Sequence, residues 1–264
     1  MSDRVQLTID SAIATVCMSR PEKRNALDAE MFRGLVRTGE RIIADNSIRA
    51  VVLHGEGKAF CAGLDFASFL GSPDLMQELL ARGEESPANM AQRAAWIWQE
   101  VKVPVIAAVH GFAFGGGLQI ALGADLRYVT ADAQFSVMEI KWGLIPDMSI
   151  TQTLLRLVPI DVAKELTFTG RILSGTEAVD LGIATKVSDD PLADAVETAK
   201  LIATKSPHAI RAGKALLRDA AGMSRADALK FETALQVSLL GGPNQTEAVQ
   251  ANTMKRAPSF KDPE

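Results

Sequence analysis

The chain of 264 residues is 47% hydrophobic and 23% charged. That is enough apolar material for one large domain, or a domain with an appendage, and it excludes wholesale disorder. Lys plus Arg number 28 against 32 Asp plus Glu, for a net charge of −4, which argues against a non-specific nucleic-acid binder. Two cysteines and three histidines are too few for a disulfide framework, a four-cysteine zinc site or a His-rich metal site.

Val5, Leu7 and Ile9 alternate with polar residues, as a half-buried strand does, and Ala12 to Met18 is a second apolar, β-branched run. With Asp10-Ser11 between them they predict a hairpin. Asp28 is placed as an N-cap before Met31, Leu35, Ile42 and Ile43, which recur at helical spacing. Arg49 to His54 and Val103 to Val109 are predicted strands, the second with Pro104 near its start. A helical run, Leu118 to Leu122, follows Gly115-Gly116-Gly117, and Leu126 to Val129 returns to strand. Asp65 to Ala94 carries Gly71, Pro73, Gly83 and Pro87 without clear periodicity, and a long irregular segment suggests a lid or binding loop. The remainder is mostly helical: Asp190 to Ala203, Ala209 to Ala220, Arg225 to Leu240 and Thr246 to Met254. A core domain is expected over 1–195 and a helical subdomain over 196–264.

No apolar run approaches the roughly 18 residues of a membrane span. Met1-Ser2-Asp3-Arg4 has neither an apolar signal core nor an amphipathic presequence character. A cytoplasmic location without membrane contact is the expectation.

Three segments could carry chemistry. Gly57 to Asp65 follows a strand and is rich in small residues, which let a backbone approach a ligand closely. His110 to Gly117 puts three glycines at a helix start, where backbone N–H groups and the helix dipole favour an anion. It lacks the Lys-Ser/Thr of a nucleotide P-loop. Phe135 to Asp147 holds Glu139 and Asp147 among apolar neighbours, and an acid in such surroundings has its pKa raised and can shuttle protons. Each segment alone has a plain structural reading: a tight turn, a packing turn, or two solvated acids. His54 and His110, at the ends of strands, are read as hydrogen-bonded structural residues.

In order along the chain, Arg20-Pro21-Glu22-Lys23-Arg24-Asn25-Ala26-Leu27, Ala59 to Asp65, Gly111 to Gly117 and the tail Lys255-Arg256-Ala257-Pro258-Ser259-Phe260 resemble the crotonase superfamily, the enoyl-CoA hydratase/isomerase family. The resemblance covers nearly the whole chain. It implies an α/β fold: a crotonase-like spiral of ββα units with a C-terminal helical subdomain that takes part in trimerisation. It also implies a homotrimer or hexamer, an acyl-CoA thioester substrate, and no separate cofactor, because CoA is part of the substrate.

By position, the backbone N–H groups of Leu64 and Gly116 would form the oxyanion hole that stabilises a thioester enolate. CoA would lie along Lys23, Arg24, Ala26, Ala62 and Asp65, with Lys255 of a neighbouring subunit near its phosphates. Hydratases of the family carry two glutamates that activate water. The second falls on Glu139, whereas the first is replaced by Gln119, and an amide does not exchange a proton at neutral pH. Dienoyl-CoA isomerases carry an Asp at the position of Asp147, paired with the Glu at that of Glu139. They also tend to carry an Asp at the position of Gln119, so the match is incomplete. The family's dehalogenase branch needs a His base that Ala88 to Lys102 lacks. The leading expectation is therefore double-bond isomerisation, with Glu139 as main base, Asp147 as second acid and Gln119 as a polar positioner. The alternatives are hydration of a 2-enoyl-CoA and a non-catalytic CoA- or RNA-binding relative.

Overall fold

The computed structural model describes residues 4–69, 73–82 and 86–264. The expected hairpin is β1 (Val5–Asp10) and β2 (Ile13–Met18), antiparallel with Val5 opposite Met18. Ser11 and Ala12 form its turn with φ of 50° and 67°, the left-handed conformation that a tight two-residue hairpin demands. Asp28 caps α1 (Ala29–Ala44) by accepting the Met31 N–H at 2.9 Å. The apolar stripe of α1, including Met31, Phe32, Leu35 and Ile42, is buried.

Strand β3 (Ala50–Gly55) lies parallel to β2. The stretch expected to be an irregular lid instead carries α2 (Phe66–Phe69), α3 (Pro73–Leu80) and the start of α4 (Met90–Glu100). Residues 70–72 and 83–85 of that stretch, with Gly71 and Gly83, lie outside the described residues; the helices that are described are short, so no helical period accumulates, and the start signal of α4 is a capping box between Asn89 and Gln92.

Beyond α4 the chain winds as β4 (Val105–Val109), β5 (Phe112–Phe114), α5 (Gly116–Gly123), β6 (Leu126–Val129) and β7 (Gln134–Ser136). It continues through α6 (Ile150–Thr153), α7 (Ile160–Thr169), β8 (Leu173–Ser174), α8 (Gly175–Asp180) and β9 (Lys186–Val187). Two sheets result, ordered β1-β2-β3-β4-β6-β9 and β5-β7-β8. Successive turns give one strand to each sheet, β4 then β5 and β6 then β7. This is the ββα spiral.

From β2 to β9 the larger sheet is parallel, and both of its faces are covered, as a parallel sheet requires. Val51, Leu53, Val105, Ala107 and Val109 join the main core with Phe32, Phe60, Trp98 and Phe135. The alternate residues Ala50, Val52, Ile106 and Ala108 pack with Ala195 and Ala199 of α9 (Pro191–Ala203). The boundary expected at 195/196 thus falls inside a continuous helix lying on the sheet.

The tail continues as α10 (Pro207–Asp219), α11 (Arg225–Leu239) and α12 (Pro243–Thr253). Buried Lys214 ties α10 to the core. Its ammonium lies 2.8 Å from Asp125 and donates to the carbonyls of Trp98 and Val103 at 2.9 Å each. Among the described residues, no helix is long and apolar enough to cross a membrane.

Candidate active site

Two crossings of the spiral build the site. Asn25, with its backbone at φ 56°, is fully buried. Its Nδ2 donates to the carbonyls of Glu56, Ala59 and Phe60 at 2.9, 2.8 and 3.2 Å, and its Oδ1 accepts the Arg20 N–H. Leu27 then bridges to Leu64, its N–H donating to Gly63 O at 2.8 Å. Cys61 bridges in parallel to Ala113. The segment after β3 is thereby laid beside β5, just before the start of α5.

Gly63 sits at φ +88°, and a Cβ there would lie 2.7 Å from Phe114 O and 3.8 Å from Gly116 N. Only glycine allows both the conformation and the approach. Leu64 and Gly116 consequently meet at one cavity. Gly116 is the first residue of α5, so its N–H has no intrahelical acceptor. Among the described residues, neither the Leu64 nor the Gly116 N–H has an acceptor.

The cavity measures about 280 Å³. Glu139, in the 3-10 turn Met138–Trp142 that follows β7, and Asp147 both line it. The Glu139 carboxylate lies against the start of α5: a Cβ on Gly115 would be 3.1 Å from its Oε1. That oxygen accepts from Gln119 Nε2 at 2.7 Å. The other, Oε2, is buried without a partner among the described residues. Burial raises the Glu139 pKa and the Asp147 charge adds to the rise, against the Gln119 hydrogen bond. Asp147 is also raised, chiefly by its apolar surroundings.

Gln119 is 1% exposed and stands behind the cavity rather than in its lining. Its Oε1 accepts the Met148 N–H at 2.7 Å while its Nε2 holds Glu139. One side-chain amide thus ties together the two segments that carry the two acids.

The other expected residues divide. Ala62 lines the cavity and donates its N–H to Arg24 O at 3.0 Å. Ala26 is buried beside the Leu27 bridge, whereas Lys23 and Arg24 are exposed, with the Arg24 guanidinium 5.4 Å from the Phe112 ring centroid. The Asp65 carboxylate turns to Arg20 at 2.7 Å and to Ser68 Oγ at 2.9 Å, and is outside the lining. Lys255 is exposed beyond α12, also outside it. His54 Nδ1 lies 3.3 Å from Gly55 O and His110 Nε2 lies 2.9 Å from Gly57 O.

Sequence reasoning assigned no role to Asn25, whose signal was an Asn inside an Arg-Pro run, a residue type that tolerates a left-handed backbone. It also missed the Phe66–Trp142 pair, whose centroids are 4.2 Å apart at the cavity wall.

The family model described as enoyl-CoA hydratase/isomerase matches residues 8–263. The chain is 32% identical over 249 residues to the enoyl-CoA hydratase EchA19 of Mycobacterium tuberculosis, covering 94% of this chain and 92% of that one. It is 31% identical over 264 residues to the peroxisomal Delta(3,5)-Delta(2,4)-dienoyl-CoA isomerase of Arabidopsis thaliana, covering 97% and 95%. Among solved structures, an enoyl-CoA hydratase from Bacillus anthracis superposes with a TM-score of 0.91 at 27% identity, covering 98% of this chain and 99% of that one. With the spiral fold and the paired N–H groups beside two carboxylates, these likenesses make the chain a member of the enoyl-CoA hydratase/isomerase family of the crotonase superfamily.

Proposed function

We propose that the protein moves the double bond of an enoyl- or dienoyl-CoA without adding water. The thioester oxygen accepts from the Leu64 and Gly116 N–H groups, where the α5 dipole further favours negative charge. Glu139 takes a proton from the carbon next to the carbonyl, and the electron pair spreads onto the oxygen as a conjugated enolate. A proton from Glu139 or Asp147 returns at the far end of the conjugated system, so nothing is gained or lost overall. Both acids have pKa values raised by burial, which favours a carboxyl that takes up and returns a proton.

The observation that carries this reading is the state of Gln119. Both ends of its amide are engaged within the protein, so it holds Glu139 and offers no second acid–base group to a water. The second reading, hydration of a 2-enoyl-CoA, draws support from Asp147, which remains partly open to solvent at the cavity and could hold a water facing Glu139. A non-catalytic CoA- or RNA-binding role is disfavoured by two raised carboxylates in one cavity. It is also disfavoured by the pairing of Arg33, one of three arginines on α1, with Glu30 and Glu78.

Glu139→Gln and Asp147→Asn test the assignment. Each should lower the rate with 3-enoyl- and 3,5-dienoyl-CoA, the former by roughly 10²- to 10⁴-fold; unchanged rates in both would sink it. The Lys23–Ala26 run, Ala62, Asp65 and a neighbour's Lys255 are proposed to border the CoA moiety, and no separate cofactor is required. A homotrimer or hexamer in the cytoplasm completes the proposal. The association is supported by exposed Leu217, Leu229, Val237 and Leu240 on the tail, and a monomer mass in light scattering would overturn it.

A further inference from the structure

Apart from Glu139, Asp147 and the indole N–H of Trp142, every described side chain in the cavity lining is apolar. The lining is graded in exposure. Trp142, Leu144 and Ile145 are 53%, 48% and 76% exposed, whereas Phe32, Leu79 and Ala91 are 2%, 3% and 6% exposed. These last three come from α1, α3 and α4, with α4 packed against both others, and we read them as the closed end. Phe32 is braced by an edge contact with Phe69 at 6.4 Å. Ala91 has the shortest side chain there. It sits in the first turn of α4, where Asn89 Oδ1 accepts from Gln92 N at 2.8 Å and Gln92 Oε1 accepts from Asn89 N at 3.1 Å. Because Ala91 lines the cavity, a longer side chain at this position would take up cavity volume.

We propose that the cavity takes an acyl chain that is hydrocarbon to its far end, and that Ala91 is the residue that sets its length. This rests on the acyl-CoA reading above. A carboxyl or hydroxyl group carried to the closed end loses its water and meets no described polar side chain, which is costly. A hydrocarbon chain gains with each methylene buried, about fourfold in Kd.

The test is calorimetric binding of saturated thioesters, which have no double bond to move or hydrate. Butyryl-, hexanoyl-, octanoyl- and decanoyl-CoA should bind about fourfold tighter per added methylene until the closed end is full. Octanedioyl-CoA, with a terminal carboxylate, should bind at least about tenfold more weakly than octanoyl-CoA. Ala91→Leu should weaken decanoyl-CoA at least about tenfold more than butyryl-CoA. Equal weakening of both, or octanedioyl-CoA binding as tightly as octanoyl-CoA, would overturn the proposal. Should Ala91→Leu fail to fold, the smaller Ala91→Val is read by the same comparison of decanoyl- with butyryl-CoA, and equal weakening of both would again overturn the proposal. Binding as expected with no shift of the double bond in enoyl thioesters would overturn the isomerase reading alone. Isomerisation with a flat chain-length series would overturn this proposal alone.

Discussion

Gln119→Glu puts an oxygen where an N–H now donates to Glu139 at 2.7 Å. Two ionised oxygens at that separation repel by about 6 kcal/mol at an effective dielectric constant of about 20. One pKa unit corresponds to about 1.4 kcal/mol, so the pair keeps one proton to well above the ordinary carboxylate range. The shared proton forms a charge-assisted hydrogen bond, and the Met148 N–H, now 2.7 Å from the Gln119 carbonyl oxygen, still finds an acceptor. The fold should therefore survive while Glu139 shares a proton with its new neighbour and takes one from substrate less readily. The assay is kcat/KM for a 3-enoyl-CoA thioester against pH, followed by the ultraviolet absorption of the conjugated product. The lower limb should move up by at least about one pH unit relative to the parent, as an apparent property of the pair. Superimposable limbs would refute the claim that Gln119 holds the working base.

Gly63→Ala should lower kcat by roughly 10²- to 10³-fold, because φ is +88° and the new Cβ would meet Phe114 O at 2.7 Å, displacing the adjoining Leu64 N–H. Activity within about twofold of the parent, with the melting temperature also unchanged, would contradict that placement. Glu139→Gln should melt higher than the parent at alkaline pH. Glu139 has a raised folded-state pKa, so the folded state binds protons more tightly than the unfolded, and stability falls as pH rises through that window. The difference should vanish at pH below the unfolded-state pKa, and a variant melting below the parent throughout would reverse the sign. Lys214→Ala should cost about 3–5 kcal/mol in urea unfolding, because it strips the cation from Asp125, leaving among the described residues only the Val105 N–H on that carboxylate, and a donor from two carbonyls at the junction of α10 with the core. A cost under about 1 kcal/mol would mean that the tail is held elsewhere.

The elements legible in the sequence were those long enough to show a period. The β1–β2 hairpin and α1 with its Asp28 cap emerged from alternation, apolar spacing and a cap, and the tail helices from long stretches of helical composition set apart by Gly or Pro. The second sheet did not, because β5, β7 and β8 have only three, three and two residues, too few for a period of two to register. Its existence follows from the resemblance to the crotonase superfamily rather than from pattern. In the site, Glu139 and Asp147 stood out as acids among apolar neighbours, eight residues apart, yet their sharing of a cavity is a tertiary fact. Gln119 reaches Glu139 across 20 positions and Arg20 reaches Asp65 across 45. Pairings at such separations leave no trace in local spacing, so the Asp65 carboxylate could not be seen to be engaged by an arginine.

The central claim is that the double bond moves and no water enters. Incubating the protein in D₂O with 2-enoyl-, 3-enoyl- and 3,5-dienoyl-CoA thioesters, and reading product masses, tests it directly. The account predicts a shifted double bond, with exchange of carbon-bound hydrogen and no gain of a whole water. A product heavier by one water from the 2-enoyl thioester, with the other substrates untouched, would contradict it and make the protein a hydratase despite Gln119.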